Sequence, residues 1–276
     1  MSYDLYLSYS GKLTYIGCPK EYKFVYKDNL PRVSRPKDFM FGSVIGKVFE
    51  WFYTEGIWAS YDVVKRTIDL IDPAIKHVCE DRKVDLNATP GLEASLIRDL
   101  YKFVPSGVAT IQGHKLLSPN SVAEMKLHIT CSMGDDITLR LGGYADFVHI
   151  HDNSIWIMDG KGSKYREKYV DAAQLIWYAT QFYLKYHIAP SRLGFIYWRF
   201  PNDPIQWIEY DAQSIRDNIE ETFSIAKKIL SEQFEPKVSD GCRRCAHSNI
   251  CDEGKAYLST VGSRLASSSI LSLDEV

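Results

Sequence analysis

The chain has 276 residues, and its 33 Lys and Arg against 35 Asp and Glu leave a net charge of −2. That balance excludes a broadly basic, nucleic-acid-coating protein, though not a local basic groove. Hydrophobic content of 45% and charged content of 25% are ordinary for a soluble globular chain, long enough for one large domain or two small ones. No apolar run is long enough for a transmembrane helix. "MSYDLYLSYSGK" lacks the basic and apolar regions of a signal peptide. The expected location is therefore intracellular, with reduced thiols and no membrane contact.

In chain order, "SYSGKLTYIGCPKEYKFVYK" reads as a helix with Ser8 or Ser10 near its N-cap, kinked or split in two by Pro19. "FMFGSVIGKVFEWFYTEGIW" spaces Val44, Val48, Phe49 and Phe52 along one helical face. Residues 60–82 and 91–103 read as two further helices, so the first half is mostly helical. The period then changes to two. "SVAEMKLHIT", "DITLRLGG", "YADFVHI" and "SIWIMDG", with turn signals at "MGDD" and "HDNS", predict a meander of about four short strands. "YVDAAQLIWYATQFYLKYH" returns to helical period, "LGFIYWRF" and "QWIEY" to strands, and "AQSIRDNIEETFSIAKKILSEQF" to a polar-faced helix. A cysteine-rich segment follows, then a Ser-rich tail over 256–276 that is expected to be mobile. The fold class is α/β, a mixed central sheet flanked by helices, with a mostly helical N-terminal insertion and a cysteine-cluster cap. We expect one domain over 1–255, with a helical portion at about 40–120. The functional sheet and helix would span about 121–210, and the last helix and cysteines 211–255.

Asp146 opens an apolar run and Asp159 ends the next one. A strand interior is a costly place for unpaired carboxylates. Two strands joined by "HDNS" can bring these two together, and converging carboxylates repel unless a cation lies between them. Hard oxygen ligands favour Mg²⁺ or Mn²⁺. Lys161 shares a strand face with Asp159, where an ammonium can position a metal-bound water or steady charge on a phosphate. Gln174 and Tyr178 share a helical face, and both can hydrogen-bond phosphate oxygens. The run "GKGSKYREK" adds Lys161, Lys164, Arg166 and Lys168 beside the second aspartate. The residue types fit metal-assisted hydrolysis of a phosphodiester. The competing reading pairs the aspartates with Arg140 or Lys161 in plain salt bridges and makes the helix face ordinary core.

Of six cysteines, three crowd into "CRRCAHSNIC", which in a reducing compartment reads as metal or cluster ligation rather than disulfides. Cys242, Cys245 and Cys251 with His247 or Cys18 would also make a structural zinc site. Cys79 and Cys131 read as small buried apolar residues.

"GYAD" (Gly143 to Asp146), "DGK" (Asp159 to Lys161) and "QLIWY" (Gln174 to Tyr178) stand in the order G-x-x-D, D/E-x-K, Q-x-x-x-Y. Together they resemble the PD-(D/E)XK nuclease superfamily in its RecB-like branch. "SGKLTYIGCPKEYKF" and "CRRCAHSNIC" resemble the iron–sulfur members, such as CRISPR adaptation exonucleases and AddB-type nuclease domains. The resemblance covers about residues 8–255. It implies Asp146, Asp159 and the Gly160 carbonyl as ligands of Mg²⁺ or Mn²⁺, with Lys161 catalytic and Gln174 and Tyr178 on the strand's phosphates. It implies a [4Fe–4S] cluster on Cys18, Cys242, Cys245 and Cys251. The implied activity is exonucleolytic cleavage of single-stranded or unwound DNA ends in recombination, repair or CRISPR-type adaptation. A virus-encoded copy working in a host cytoplasm is equally compatible. The chain has no G-x-x-x-x-G-K-[ST] loop, so it would be a stand-alone nuclease or one subunit of a larger machine, with a homo-oligomer or a partner helicase or integrase both open. Two departures stand out. The family's G-x-x-x-H-x-x-x-E reads "GSVIGKVFE" here, so a metal-ligating histidine becomes Gly46 while Glu50 stays. The residue after the lysine, often Thr or Ser, is Gly162. The alternative function is an inactive module of the same fold that binds DNA ends for a partner nuclease or integrase.

Overall fold

A computed structural model of the chain describes residues 3–31, 40–88, 90–134, 137–151, 153–166 and 172–270. The N-terminal elements are β1 (Tyr3–Ser8), α1 (Tyr9–Gly17) and α2 (Pro19–Tyr22), followed by a π-helical turn, Lys23–Lys27. The helices α3 (Met40–Thr54), α4 (Val63–Ile68), α5 (Ile71–Arg82) and α6 (Leu92–Gly113) come next. Then come β2 (Val122–Lys126), β3 (Ile129–Ser132), β4 (Ile137–Gly142), β5 (Tyr144–His151) and β6 (Ser154–Lys161). The chain continues with α7 (Ala172–Tyr186), β7 (Arg192–Tyr197), β8 (Ile205–Ile208), α8 (Ala212–Leu230) and α9 (Asp252–Ile270). The stretch read as a tail from residue 256 thus begins inside α9. Among the described residues, no helix is long and apolar enough to cross a membrane.

The chain divides into two compact units. One takes in Met1–Ser34, Met133–Leu139 and Glu221–Val276; the other takes in Arg35–Ser132 and Arg140–Glu220. In the first unit, the Ser8 side chain caps α1 by accepting from the Gly11 amide at 3.1 Å. Cys18 is extended (φ −159°) and ends α1, and Pro19 restarts the chain as α2 because a helix start needs no amide donor there. Tyr15 and Tyr22 are buried and pack edge to face, both within ring contact of Phe234. The buried ammonium of Lys12 is neutralised by Glu221 at 2.6 Å.

The second unit is built on a five-stranded sheet, order β2-β5-β6-β7-β8. All neighbours are antiparallel except β6 and β7, which are parallel and joined by the α7 crossover. The expected meander is corrected here. β2 skips to β5, and β3 and β4 take no place in this sheet. Alternation marks a strand but not its partner, so the sequence fixes neither. α3 packs on β2 and β6, with Val44, Ile45, Val48, Phe49 and Phe52 all fully buried. α6 runs ten residues beyond the helix expected over 91–103, straight through Pro105. Val104, Val108 and Ile111 on either side of that proline are fully buried, and their packing outweighs the lost hydrogen bond.

Candidate active site

The register of β5 on β6 pairs Phe147 with Met158, and one step further along it sets Asp146 beside Asp159. Residues 147 and 158 belong to the core beneath α3. Alternation therefore turns Asp146, Asp159 and Lys161 to the other face, the one α7 covers. Asp146 Oδ2 accepts from the Gly160 amide at 2.8 Å, which ties the two strand ends together. Lys161 Nζ lies 2.6 Å from Asp159 Oδ2 and donates to Gln174 Oε1 at 2.8 Å. Gln174 Nε2 in turn donates to the Tyr178 hydroxyl at 3.0 Å. The five side chains singled out in the sequence are thus brought into one constellation. One difference concerns Gln174 and Tyr178, expected on phosphates. Gln174 engages both ends of its amide with Lys161 and Tyr178, and Tyr178 is buried.

Asp159 is only 3% exposed, and burial pushes its carboxyl above the ordinary range against the opposing pull of Lys161. Burial, then the charge of Asp159, then that of Glu124 hold the Asp146 carboxyl well above its ordinary value; the Gly160 amide and Lys161 pull the other way. Burial and the two aspartates also raise the Tyr178 phenol. The donor set fits a hard divalent cation: two crowded carboxylates and a backbone carbonyl at Gly160. The Lys161 ammonium stands beside that set against Asp159, outside it.

Two glycines explain how the site closes. A Cβ on Gly143, the first residue of "GYAD", would lie 2.7 Å from Gln181 Oε1 and 3.3 Å from the Tyr178 ring, so glycine here leaves room for these two α7 side chains. A Cβ on Gly162 would lie 2.5 Å from the Gly42 Cα at the start of α3. The second departure from the family pattern is therefore a close backbone approach. Sequence reasoning missed the residue that braces it. Arg199 donates to the Gly162 carbonyl at 3.0 Å, pairs with Asp99 at 2.6 Å and lies 3.6 Å over the Phe41 ring. Its only sequence signal is an arginine next to a strand end. Gly162→Ser, which restores the commoner residue, is expected to destabilise by about 1–3 kcal/mol through overpacking. A thermal melt against wild type measures this, and an unchanged melting temperature would refute the close approach.

Lys164 is exposed and Arg166 pairs with Asp203, while Lys168 lies outside the described residues. His149 is buried with its Nδ1 3.0 Å from the Ser121 hydroxyl, and by alternation it faces away from Asp146.

In the first unit Cys18, Cys242, Cys245 and Cys251 all line one cavity of about 180 Å³. Cys18 Sγ accepts from the Lys237 amide at 3.4 Å. Among the described residues, the set with ligand atoms within 4.8 Å of one another is Glu21, Cys245 and His247, and no three of the four cysteines come that close. His247 is buried with Nδ1 lacking a hydrogen-bond partner, while Nε2 meets the Pro31 carbonyl at 3.2 Å. Cys79 and Cys131 are half-buried and outside this cavity.

No curated protein matches the chain. Among solved structures, one described as "Crystal structure of SSO0001" matches at 15% identity with a TM-score of 0.38, over 92% of this chain and 88% of that chain. The family model of the PD-(D/E)XK nuclease superfamily matches residues 6–252, from within β1 to the first residue of α9. On that match the chain belongs to the PD-(D/E)XK nuclease superfamily.

Proposed function

We propose that the chain is a metal-dependent DNA exonuclease of the RecB-like iron–sulfur branch, acting on single-stranded or unwound ends. The observation that carries this reading is the row formed by Asp146 and Asp159 with Lys161 drawn against it, in a chain of this superfamily. Asp146, Asp159 and the Gly160 carbonyl hold the divalent cation. When bound, it lowers the pKa of a coordinated water and offsets phosphate charge. Lys161, kept in place by Gln174, presents its ammonium to the attacking water and to the charge growing on the phosphate. The water oxygen bonds to phosphorus as one of its protons passes to solvent, the P–O bond to the leaving strand breaks, and the departing oxygen takes up a proton from solvent. Gln174 and the buried Tyr178 form a positioning chain behind Lys161.

The four cysteines hold a [4Fe–4S] cluster in this reading. A single tetrahedral zinc on thiolates needs sulfurs about 3.8 Å apart, whereas these four ring a cavity of about 180 Å³ and no three of their sulfurs lie within 4.8 Å of one another. The second reading for that region, a zinc on Glu21, Cys245 and His247, is favoured by the closeness of those three. The second reading for function, an end-binding module without chemistry, is favoured by Gly46 alone.

A time course tests the main reading. Protein purified without oxygen is added to end-labelled single-stranded and double-stranded DNA with Mn²⁺ or Mg²⁺, beside Lys161→Ala. Metal-dependent shortening from an end, lost in the variant, is the expected result. Folded protein that binds DNA ends and shortens none of them would establish the binding module instead.

A further inference from the structure

One acid at the site belongs to none of the family motifs. β2 pairs with β5 so that Ala123 faces Phe147 and Met125 faces Ala145, which sets Glu124 across from Asp146. Asp146 in turn stands beside Asp159. Three carboxylate residues therefore occupy neighbouring positions on three adjacent strands. Like charges opposed across a strand pair are destabilising, so the sheet itself gains nothing from this row. Of the described non-glycine residues at positive φ, Glu124 (φ 50°) is the one within a strand. A left-handed backbone is costly for a residue with a Cβ and recurs where function demands it.

The helix packed on β2 shows what this acid replaces. α3 presents Gly46, Lys47 and Glu50 on its half-buried face, and Lys47 pairs with Glu50. Among the described residues, nothing lies within 4 Å of the place a Cβ on Gly46 would occupy. The position where the family carries a histidine is an open notch. Glu124 is exposed, and α3 packs on β2, the strand that carries it. Desolvation, then the charges of Glu50 and Asp159, raise its carboxyl, while Lys47 pulls the other way.

We propose that Glu124 supplies the ligand lost at Gly46 and completes the divalent-cation site with Asp146, Asp159 and the Gly160 carbonyl. The inference rests on the metal-site reading above. It also sets the site's preference. Exchanging an imidazole for a carboxylate leaves an all-oxygen donor set with one more negative charge, which favours Mg²⁺ over softer, nitrogen-seeking cations.

Calorimetric titration of metal-free full-length protein with Mn²⁺ and with Mg²⁺ tests it, on wild type, Glu124→Gln, Asp159→Asn and Glu124→Gln/Gly46→His. Glu124→Gln is expected to weaken both ions by at least about tenfold. The added histidine should restore Mn²⁺ binding but not Mg²⁺ binding. Without metal, Glu124→Gln should melt no lower than wild type, since it removes a like charge from the row. If Glu124→Gln binds both ions as wild type does while Asp159→Asn does not, the inference fails and the metal site stands. If Asp159→Asn also binds normally, the metal-site reading itself fails.

Discussion

Asp146→Asn is expected to reduce phosphodiester cleavage by about 10³-fold and, without metal, to make the protein more stable at neutral pH. The two effects share one cause. Asp146 is held beside Asp159 at a desolvated strand end, and burial and that neighbour raise its carboxyl well above the ordinary range. Asp159 is raised as well. A carboxyl whose folded value exceeds its unfolded value binds more protons in the folded chain across the window between the two. Stability contributed by such groups therefore falls as pH rises through that window, starting from the ordinary carboxylate range. A divalent cation reverses the sign by favouring the ionised pair. Asparagine keeps an oxygen to accept from the Gly160 amide but carries no charge to desolvate. The expected gain is on the order of 1–3 kcal/mol, the protein-mutational cost of burying an uncompensated polar group. Melting curves of wild type and Asp146→Asn in chelator, from about pH 4 to 8, should converge at the acid end and diverge toward neutrality. Added Mn²⁺ should close the gap by stabilising wild type alone. A variant that is less stable than wild type at neutral pH without metal would show that the aspartates are structural salt-bridge partners.

The residues that carry the site were legible because their spacing survives folding locally. Asp159 and Lys161 share a face by alternation along one strand, and Gln174 and Tyr178 share one by helical period. Asp146 comes to Asp159 across a single hairpin. The first helix was legible too, because Ser8 and Pro19 are local signals. Relations between distant segments were not. Nothing local in "SVAEMK" says that β2 skips two strands to reach β5, and with that register hidden, Glu124 looks like one polar residue in an alternating strand. β1 was passed over although "YDLYLS" alternates and Leu7 is buried, since its partner lies more than a hundred residues away in β4. Gly162 looked like a missing side chain until Gly42 stood against it. The helix expected over 91–103 runs on through Pro105 because its compensation, burial of Val104 and Val108, is tertiary.

Cys245→Ser is expected to have the largest effect on the integrity of the first unit. Cys18 lies in the break between α1 and α2, and the other three cysteines lie beyond α8, all around one cavity. A group bound to all four closes a loop from residue 18 to residue 242. By the chain-entropy argument used for cross-links, closing a loop of that length is worth about 5 kcal/mol, a large share of the stability of an ordinary domain. The ion pair of Lys20 with Glu253 at 2.5 Å beside the cavity is partly exposed and contributes little. Protein purified without oxygen should be brown and carry about four iron and four sulfide per chain. Cys245→Ser should lose the colour, the iron, and protection from proteolysis across α1, α2 and the segment before α9. Cys131→Ser, outside the cavity, should lose none of them. The Glu21, Cys245 and His247 set makes a different prediction from the same variant. A colourless wild type with one zinc per chain, lost in Cys245→Ser and equally in His247→Ala but kept in Cys18→Ser, would assign the site to those three residues and remove the cluster.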